Sequence, residues 1–144
     1  MSERTTSLIS DARATLDTVQ ELQRRYDDVG WQIQEPSYAK VRHVLLHLMK
    51  ITAEVARLVE NVEHSVHNGV ADEEISKQFA KSLNERTDIA GDLLFHAAQF
   101  ANLGNYALPE ALIGIYSRNA KQFAPESEFA GLAVETAGTA AVGS

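Results

Sequence analysis

The 144-residue chain contains no cysteine, three prolines and one tryptophan. Without cysteine it can form neither a disulfide framework nor a thiolate metal site, and the cytoplasm is the compartment that we expect. Residues 1–4 lack the basic and then apolar pattern of a signal peptide. No apolar run approaches the roughly 18 residues that a membrane-spanning helix needs, so the sequence predicts no membrane association.

Basic residues are scarce. Thirteen lysines and arginines stand against twenty aspartates and glutamates, which gives a net charge of −7. A negative surface repels nucleic-acid phosphates, so binding to DNA or RNA is disfavoured. A single nucleotide remains compatible with this charge, because a divalent cation can bridge two negative partners.

The two-residue alternation of a β-strand is also absent, and apolar residues recur at spacings of three and four. The sequence therefore predicts an all-α fold, with helices over residues 7–29, 37–67, 72–83, from about 82 or 85 to 104, and 109–123. The apolar face of the first helix is Leu8, Ala12, Leu16, Val19, Leu22, Tyr26 and Val29. The long second helix has apolar positions on more than one side, which predicts an oligomer.

Helix boundaries follow from capping signals. Asp72 is predicted to cap the third helix. Ser82 to Glu85 has the form of a capping box, which predicts either the start of the fourth helix or a kink in one long helix. Pro109 suits the first turn of the last helix.

The predicted organisation is one domain over residues 1–123, in which residues 1–36 are a helix and connector and 37–123 are the core. Beyond it, residues 124–144 contain no lysine or arginine and three of the eight glycines. This composition predicts a flexible C-terminal tail.

Polar side chains recur on two of the predicted helices. Asp88, Asp92 and His96 follow at steps of four and share one face of the later helix. The long helix carries a second polar ridge, formed by His43, His47, Lys50, Glu54, Arg57 and Glu60. Carboxylates from two facing helices of a bundle can form a divalent-metal site. Mg²⁺ keeps several waters, so a few carboxylates and substrate phosphates suffice for it.

Simpler interpretations exist for these groups. Glu54, Arg57 and Glu60 can form a solvated face of i,i+3 ion pairs. The two histidines His43 and His47 form an HxxxH pair that can bind zinc or iron, although two histidines on one helix are common and no third ligand lies nearby. Asp92 lies among apolar residues, where a merely solvated carboxylate is less expected, and this favours a functional role.

Lys50–Glu60, Asp88–Leu94 and Ala101–Lys121 are three segments whose patterns, taken together, resemble the MazG-type all-α nucleoside triphosphate pyrophosphohydrolases, which include dUTPase- and dCTPase-like members. Lys50–Glu60 lies without a gap over the family form K-L-x-E-E-x-G-E-L-x-E, and Asp88–Leu94 lies over E-E-L-A-D-V-L. The pattern that follows in the family, with A-N-x-L-G, a helix start and a later K-N, is matched from Ala101 to Lys121. The resemblance covers about residues 38–123.

The resemblance implies an antiparallel bundle of four to five helices that assembles as a homodimer or homotetramer. It also implies hydrolysis of an NTP or dNTP to a nucleoside monophosphate and pyrophosphate with Mg²⁺ or Mn²⁺. Glu54 and Asp92 are then catalytic, and Glu54, Asp88 and Asp92 bind the metal. The residues expected to contact the nucleotide are Lys50, Arg57, Asn119 and Lys121.

The sequence departs from the family at two metal-ligand positions. The family's E-x-x-E pair becomes Glu54 and Arg57, and its E-x-x-D pair becomes Ile89 and Asp92. Asp88 is displaced by one residue, a rotation of about 100° around the helix. Two alternatives therefore stand beside the enzyme: a degenerate relative that binds a nucleotide or a protein partner without hydrolysis, and a metal-binding bundle that uses His43, His47, Glu54, Asp92 and His96.

Overall fold

The computed structural model describes residues 1–30 and 37–134. These residues form no strand and contain the helices α1 (Glu3–Gly30), α2 (Tyr38–His67), α3 (Asp72–Asn84), α4 (Asp88–Gly104) and α5 (Leu108–Phe123), followed by a 3-10 helix at Glu128–Gly131. The predicted all-α fold is confirmed. Within the described ranges, no helix has the length and apolar character to cross a membrane. The predicted connector 31–36 and the segment 135–144 lie outside the described residues.

Most helix boundaries follow from local chemistry. The hydroxyl of Ser37 accepts a hydrogen bond from the backbone N–H of Lys40 at 3.3 Å and caps α2. Gly69, which follows α2, has a φ of +72°, a conformation that costs glycine little. Pro109 lies in the first turn of α5, as predicted.

Two predicted caps are wrong. Ser82 lies inside α3, and α4 begins only at Asp88, so Ser82 to Glu85 is not a capping box. The backbone N–H of Arg86 instead bonds to the carbonyl of Leu83 at 3.1 Å and closes the end of α3. Asp72 is the first residue of α3 rather than its cap, and the acidic first turn favours the helix through its dipole.

The contacts of the chain group into two compact units that divide α4 between them. The terminal unit consists of Met1–Glu35 and Ala98–Ser144, and in it α1 and the 3-10 helix both pack on α5. The central unit consists of Pro36–Ala97, and in it α2 packs on α3. The single domain over residues 1–123 stays a prediction.

The buried side of α1 is polar. Its buried residues are Thr5, Gln20, Gln23 and Asp27. Much of the apolar face predicted for this helix is exposed, and Val29 is 88% exposed. Periodicity identified the helix, but it did not identify the side that packs, because the hydrogen-bonded side is rotated by roughly 80° from the centre of the apolar stripe.

A buried carboxylate anchors α1 to α4. Asp27 is 2% exposed, and its Oδ1 accepts hydrogen bonds from the side-chain amides of Gln23 at 2.8 Å and Gln99 at 3.0 Å. A buried carboxylate needs such donors, because its desolvation is otherwise uncompensated.

Gln20 attaches the loop between α4 and α5 to α1. Its Nε2 donates to the carbonyl of Tyr106 at 2.8 Å, and its Oε1 accepts from the N–H of Leu108 at 2.9 Å. The side chain of Asn102 donates to the carbonyl of Gln20 at 3.1 Å. The loop is therefore held through its backbone, and the end of α4 is held through the side chain of Asn102.

The first part of the predicted tail packs against the helices. Glu128 accepts hydrogen bonds from the N–H of Ser2 at 2.6 Å and the hydroxyl of Thr5 at 2.5 Å, and Leu132 is 5% exposed. These hydrogen bonds, the one from Thr5 first, lower the pKa of Glu128. The segment 124–134 is thus connected to the beginning of α1.

Replacing Asp27 with alanine tests the buried carboxylate. The change leaves the amides of Gln23 and Gln99 without their acceptor, so we expect the free energy of unfolding to fall by about 1–3 kcal/mol. Urea unfolding measures this loss. The neighbouring exposed residue provides a matched control: Asp28→Ala should change stability by less than about 0.5 kcal/mol. Equal effects of the two substitutions would contradict the anchoring role.

Candidate functional site

The candidate site is in the central unit, where one of the predicted metal ligands forms an ion pair between elements. Glu54 lies in the middle of α2 and is half-buried. Its Oε2 lies 2.5 Å from Nη2 of Arg86, and its Oε1 lies 3.8 Å from Nζ of Lys50. Glu54 therefore pairs with Arg86 and Lys50, whereas the sequence suggested Arg57 as a partner.

The same arginine binds a second predicted ligand. Arg86 lies in the short connector before α4, and its Nη2 is 3.0 Å from Oδ2 of Asp88. Its Nε is 3.0 Å from Oδ1 of Asp88, so this contact is bidentate. Glu54 from α2 and Asp88 from α4 consequently converge on one guanidinium.

The contacts of Arg86 maintain its charge and that of Asp88. Hydrogen bonds to Asp88 and then Glu54 raise the pKa of Arg86, and the hydrogen bond from Arg86 lowers the pKa of Asp88. The side chains of Arg86, Glu54 and Asp88 are 33%, 20% and 56% exposed, so water still screens the group. It is a charged cluster at the surface of the unit.

Asp92 and Arg57, which the sequence also predicted for this site, are exposed. Asp92 and Arg57 make no side-chain hydrogen bond or ion pair with the described part of the chain. Leu93 and Leu94 are each 43% exposed, so Asp92 lies on an open side of α4 and not in the apolar surroundings that the sequence suggested.

The other two predicted nucleotide contacts are on α5. Asn119 and Lys121 are exposed positions of that helix in the terminal unit. The five predicted residues of α2 and α4 belong to the central unit. A joint role of all seven stays a prediction.

Three histidines of the central unit lie together. The ring of His47 is 4.5 Å from that of His43 and 5.1 Å from that of His96, centroid to centroid. His96 is 7% exposed, and its Nδ1 lies 2.7 Å from the carbonyl oxygen of Asp92. Burial, and next the positive charge that His43 and His96 can carry, lowers the pKa of His47. The ring of His47 is thus stacked on that of His96 and tilted against that of His43.

The carboxylates of Glu54 and Asp88 suit a Mg²⁺ site that a substrate completes. Within residues 1–30 and 37–134, no group of three or more His, Asp or Glu side chains could hold a metal ion. Two carboxylates are nevertheless enough for Mg²⁺ when substrate phosphates and water complete its coordination. Glu54 and Asp88 therefore fit a substrate-dependent Mg²⁺ site, and the histidine cluster offers no comparable set of ligands.

The terminal unit contains an open cavity of about 580 Å³ that the sequence did not predict. Asp17, Glu21 and Arg24 lie on its α1 side, and Asn102 and Tyr106 lie opposite. Arg24 is engaged by Glu21 and by the side chain of Asn102, at 3.3 Å from the latter. These polar groups largely satisfy one another.

The most important residue that sequence reasoning missed is Arg86. It is 32 residues from Glu54, so no helical spacing connects the two. The available signal was a basic residue two positions before the acidic start of α4.

No family model matches the chain, and comparisons with curated proteins and with solved structures also find no match.

The pKa of Asp88 provides a direct test of its contact with Arg86. The contact favours the carboxylate, so its contribution to stability is present above the ordinary pKa of 3.8 and is lost as the pH falls through the lower folded value. We expect Arg86→Gln to raise the pKa of Asp88 towards 3.8, measured by NMR titration of its carboxyl carbon. Lys77→Gln removes a cation that pairs with Glu73 and should leave the pKa of Asp88 unchanged.

Proposed function

We propose that the protein is a MazG-like nucleotide pyrophosphohydrolase, which converts an NTP or dNTP to a nucleoside monophosphate and pyrophosphate in the presence of Mg²⁺ or Mn²⁺. The observation that supports this function is the convergence of Glu54 and Asp88 on one nitrogen of Arg86, at 2.5 and 3.0 Å. Two carboxylates that the sequence predicts as metal ligands thus lie close enough to contact the same cation. This arrangement suits a divalent ion that arrives with a triphosphate.

Each predicted residue has a role in this proposal. Glu54 and Asp88 hold the cation, and Asp92, one helical turn further along α4, adds a carboxylate to the same helix. The bound cation would neutralise phosphate charge and activate water. Lys50 has a 70% exposed ammonium beside Glu54 and can contact phosphates. The further proposed phosphate contacts are Arg57, Asn119 and Lys121.

A second candidate function is nucleotide binding without hydrolysis. It is favoured by two permanent cations, Arg57 at a family ligand position and Arg86 between the carboxylates. A guanidinium binds phosphate through paired hydrogen bonds and needs no metal. In this case Glu54 and Asp88 orient Arg86 and perform no metal chemistry.

Self-association is part of the proposal. Many large apolar side chains are exposed, which in a monomer is unusual and often indicates an interface. Those on α2 and α4 are Tyr38, Leu45, Leu46, Met49, Val59, Val66, Leu93, Leu94 and Phe100. We infer that copies of the same chain cover them in a homodimer or homotetramer. The proposed location is the cytoplasm, and the net charge of −7 disfavours DNA and RNA as partners.

Pyrophosphate release tests the proposed activity. Incubation with each NTP and dNTP in Mg²⁺ or Mn²⁺ should yield pyrophosphate and the monophosphate of at least one nucleotide. Glu54→Gln and Asp88→Asn should abolish turnover, because they remove the two carboxylates that converge on Arg86. Asp92→Ala tests whether the third proposed carboxylate also binds the metal, in which case turnover is lost as well. Glu73→Gln, at an exposed carboxylate of α3, is the matched control and should retain it.

The outcomes separate the two candidates. Nucleotide binding without turnover would eliminate hydrolysis and support the binding function. If the protein neither binds nor hydrolyses any nucleotide, both candidate functions are wrong. Full turnover by Asp92→Ala would show that Asp92 is not a metal ligand.

Arg57→Glu tests the position at which the chain departs from the family. The substitution restores the family's carboxylate, and we expect affinity for Mn²⁺ to rise at least about fivefold, since one charge pair at about 4 Å contributes about 1 kcal/mol even in water. Mn²⁺ titration by electron paramagnetic resonance measures this change. Arg42→Glu alters the net charge equally from a position about 22 Å away along α2 and should have little effect. Equal gains in both variants would contradict a local effect.

A further inference from the structure

The four oxygens of the Glu54–Asp88 pair all face cations in the structure. Arg86 contacts both oxygens of Asp88 at 3.0 Å and Oε2 of Glu54 at 2.5 Å. The remaining oxygen, Oε1 of Glu54, is 3.8 Å from Nζ of Lys50. A divalent cation that binds this pair therefore competes with the guanidinium for the same oxygens.

The position of Arg86 allows such an exchange. Its backbone N–H is fixed on the carbonyl of Leu83 at 3.1 Å, at the end of α3. Its side chain is 33% exposed, so it can leave the carboxylates without crossing a packed core. When the guanidinium leaves the carboxylates, it keeps its positive charge and its paired N–H donors, and it can bind another anion through them.

We propose that Arg86 is a displaceable internal counter-ion, which blocks the carboxylate pair when the site is empty and binds the phosphates of a triphosphate when the metal takes the pair. This inference rests on the proposed function, because the triphosphate is its ligand. Arg86 acts as a switch between two sets of partners.

Charge balance explains why metal and triphosphate depend on each other. In the free protein Arg86 offsets one of the two carboxylate charges. A divalent cation neutralises both, and the guanidinium is left without a partner until a triphosphate arrives. Each ligand therefore strengthens binding of the other, and this coupling is reciprocal.

The experiment measures Mn²⁺ affinity with and without inorganic triphosphate, which carries the phosphate chemistry without a base or sugar. We expect Arg86→Gln to bind Mn²⁺ alone at least about tenfold more tightly than the unmodified protein, as two freed carboxylates imply. The same variant should bind triphosphate more weakly in the presence of Mn²⁺. The coupling between the two ligands, measured after correction for Mn²⁺ chelated by free triphosphate, should largely disappear.

Two further variants sharpen the comparison. Arg42→Gln removes the same charge from α2, about 18 Å from Glu54 along the helix, and should leave both affinities unchanged. Arg86→Lys keeps the charge but loses the fork, so it should bind Mn²⁺ with an affinity between those of the unmodified protein and Arg86→Gln. Circular dichroism establishes whether each variant is folded. If Arg86→Gln does not fold, the Mn²⁺ affinity of Arg86→Lys is compared with that of the unmodified protein instead.

Each result has one meaning for the switch. Unchanged Mn²⁺ affinity in Arg86→Gln, together with loss of binding in Glu54→Gln, overturns the switch and leaves the proposed metal site intact. Weaker Mn²⁺ binding in Arg86→Gln overturns it as well, because Arg86 would then support the metal. Absence of Mn²⁺ binding in every variant overturns both the switch and the metal site. Tighter Mn²⁺ binding by Arg86→Gln, together with no nucleotide hydrolysis by the unmodified protein, supports the switch and contradicts the proposed hydrolysis.

Discussion

The contact of Arg86 with Glu54 and Asp88 determines how the polar groups of the central unit are arranged. The apolar side chains buried in this unit include Val44, Ile51 and Ile89, which together form a modest core. Partly exposed ion pairs contribute little to stability, because water and salt screen them. The importance of this contact is therefore geometric. It fixes the beginning of α4 relative to the middle of α2 and brings two acidic side chains from different helices to one point.

The sequence was informative about helices and less so about their surroundings. Gly69 and Pro109 marked a helix end and a helix start, because a positive φ and a fixed φ are properties of single residues. The pairing of Glu54 with Arg86 spans 32 residues and could not be predicted from helical spacing. The exposure of Asp92 was missed for a related reason: apolar neighbours in sequence do not decide what covers a helix in space.

The first helix shows how strongly hydrogen bonds can oppose a hydrophobic pattern. Its apolar stripe predicted one buried face, yet Leu22 and Tyr26 are 66% and 50% exposed, whereas Gln23 and Asp27 are 5% and 2% exposed. Buried polar groups are stable only when partners satisfy them, and Gln99 supplies such a partner. The apolar stripe beside these polar residues stays largely exposed.

The side-chain amide of Gln20 forms the two hydrogen bonds that a peptide group of a neighbouring backbone would form. One end of its side-chain amide donates to the carbonyl of Tyr106, and the other accepts from the N–H of Leu108. Because both contacts come from one rigid group, the number of residues between them is fixed, although their identity is not. Insertion or deletion of a residue between Tyr106 and Leu108 would leave one end of the amide unpaired. This loop is therefore a poor place for a tag or a circular permutation, despite lying at the surface.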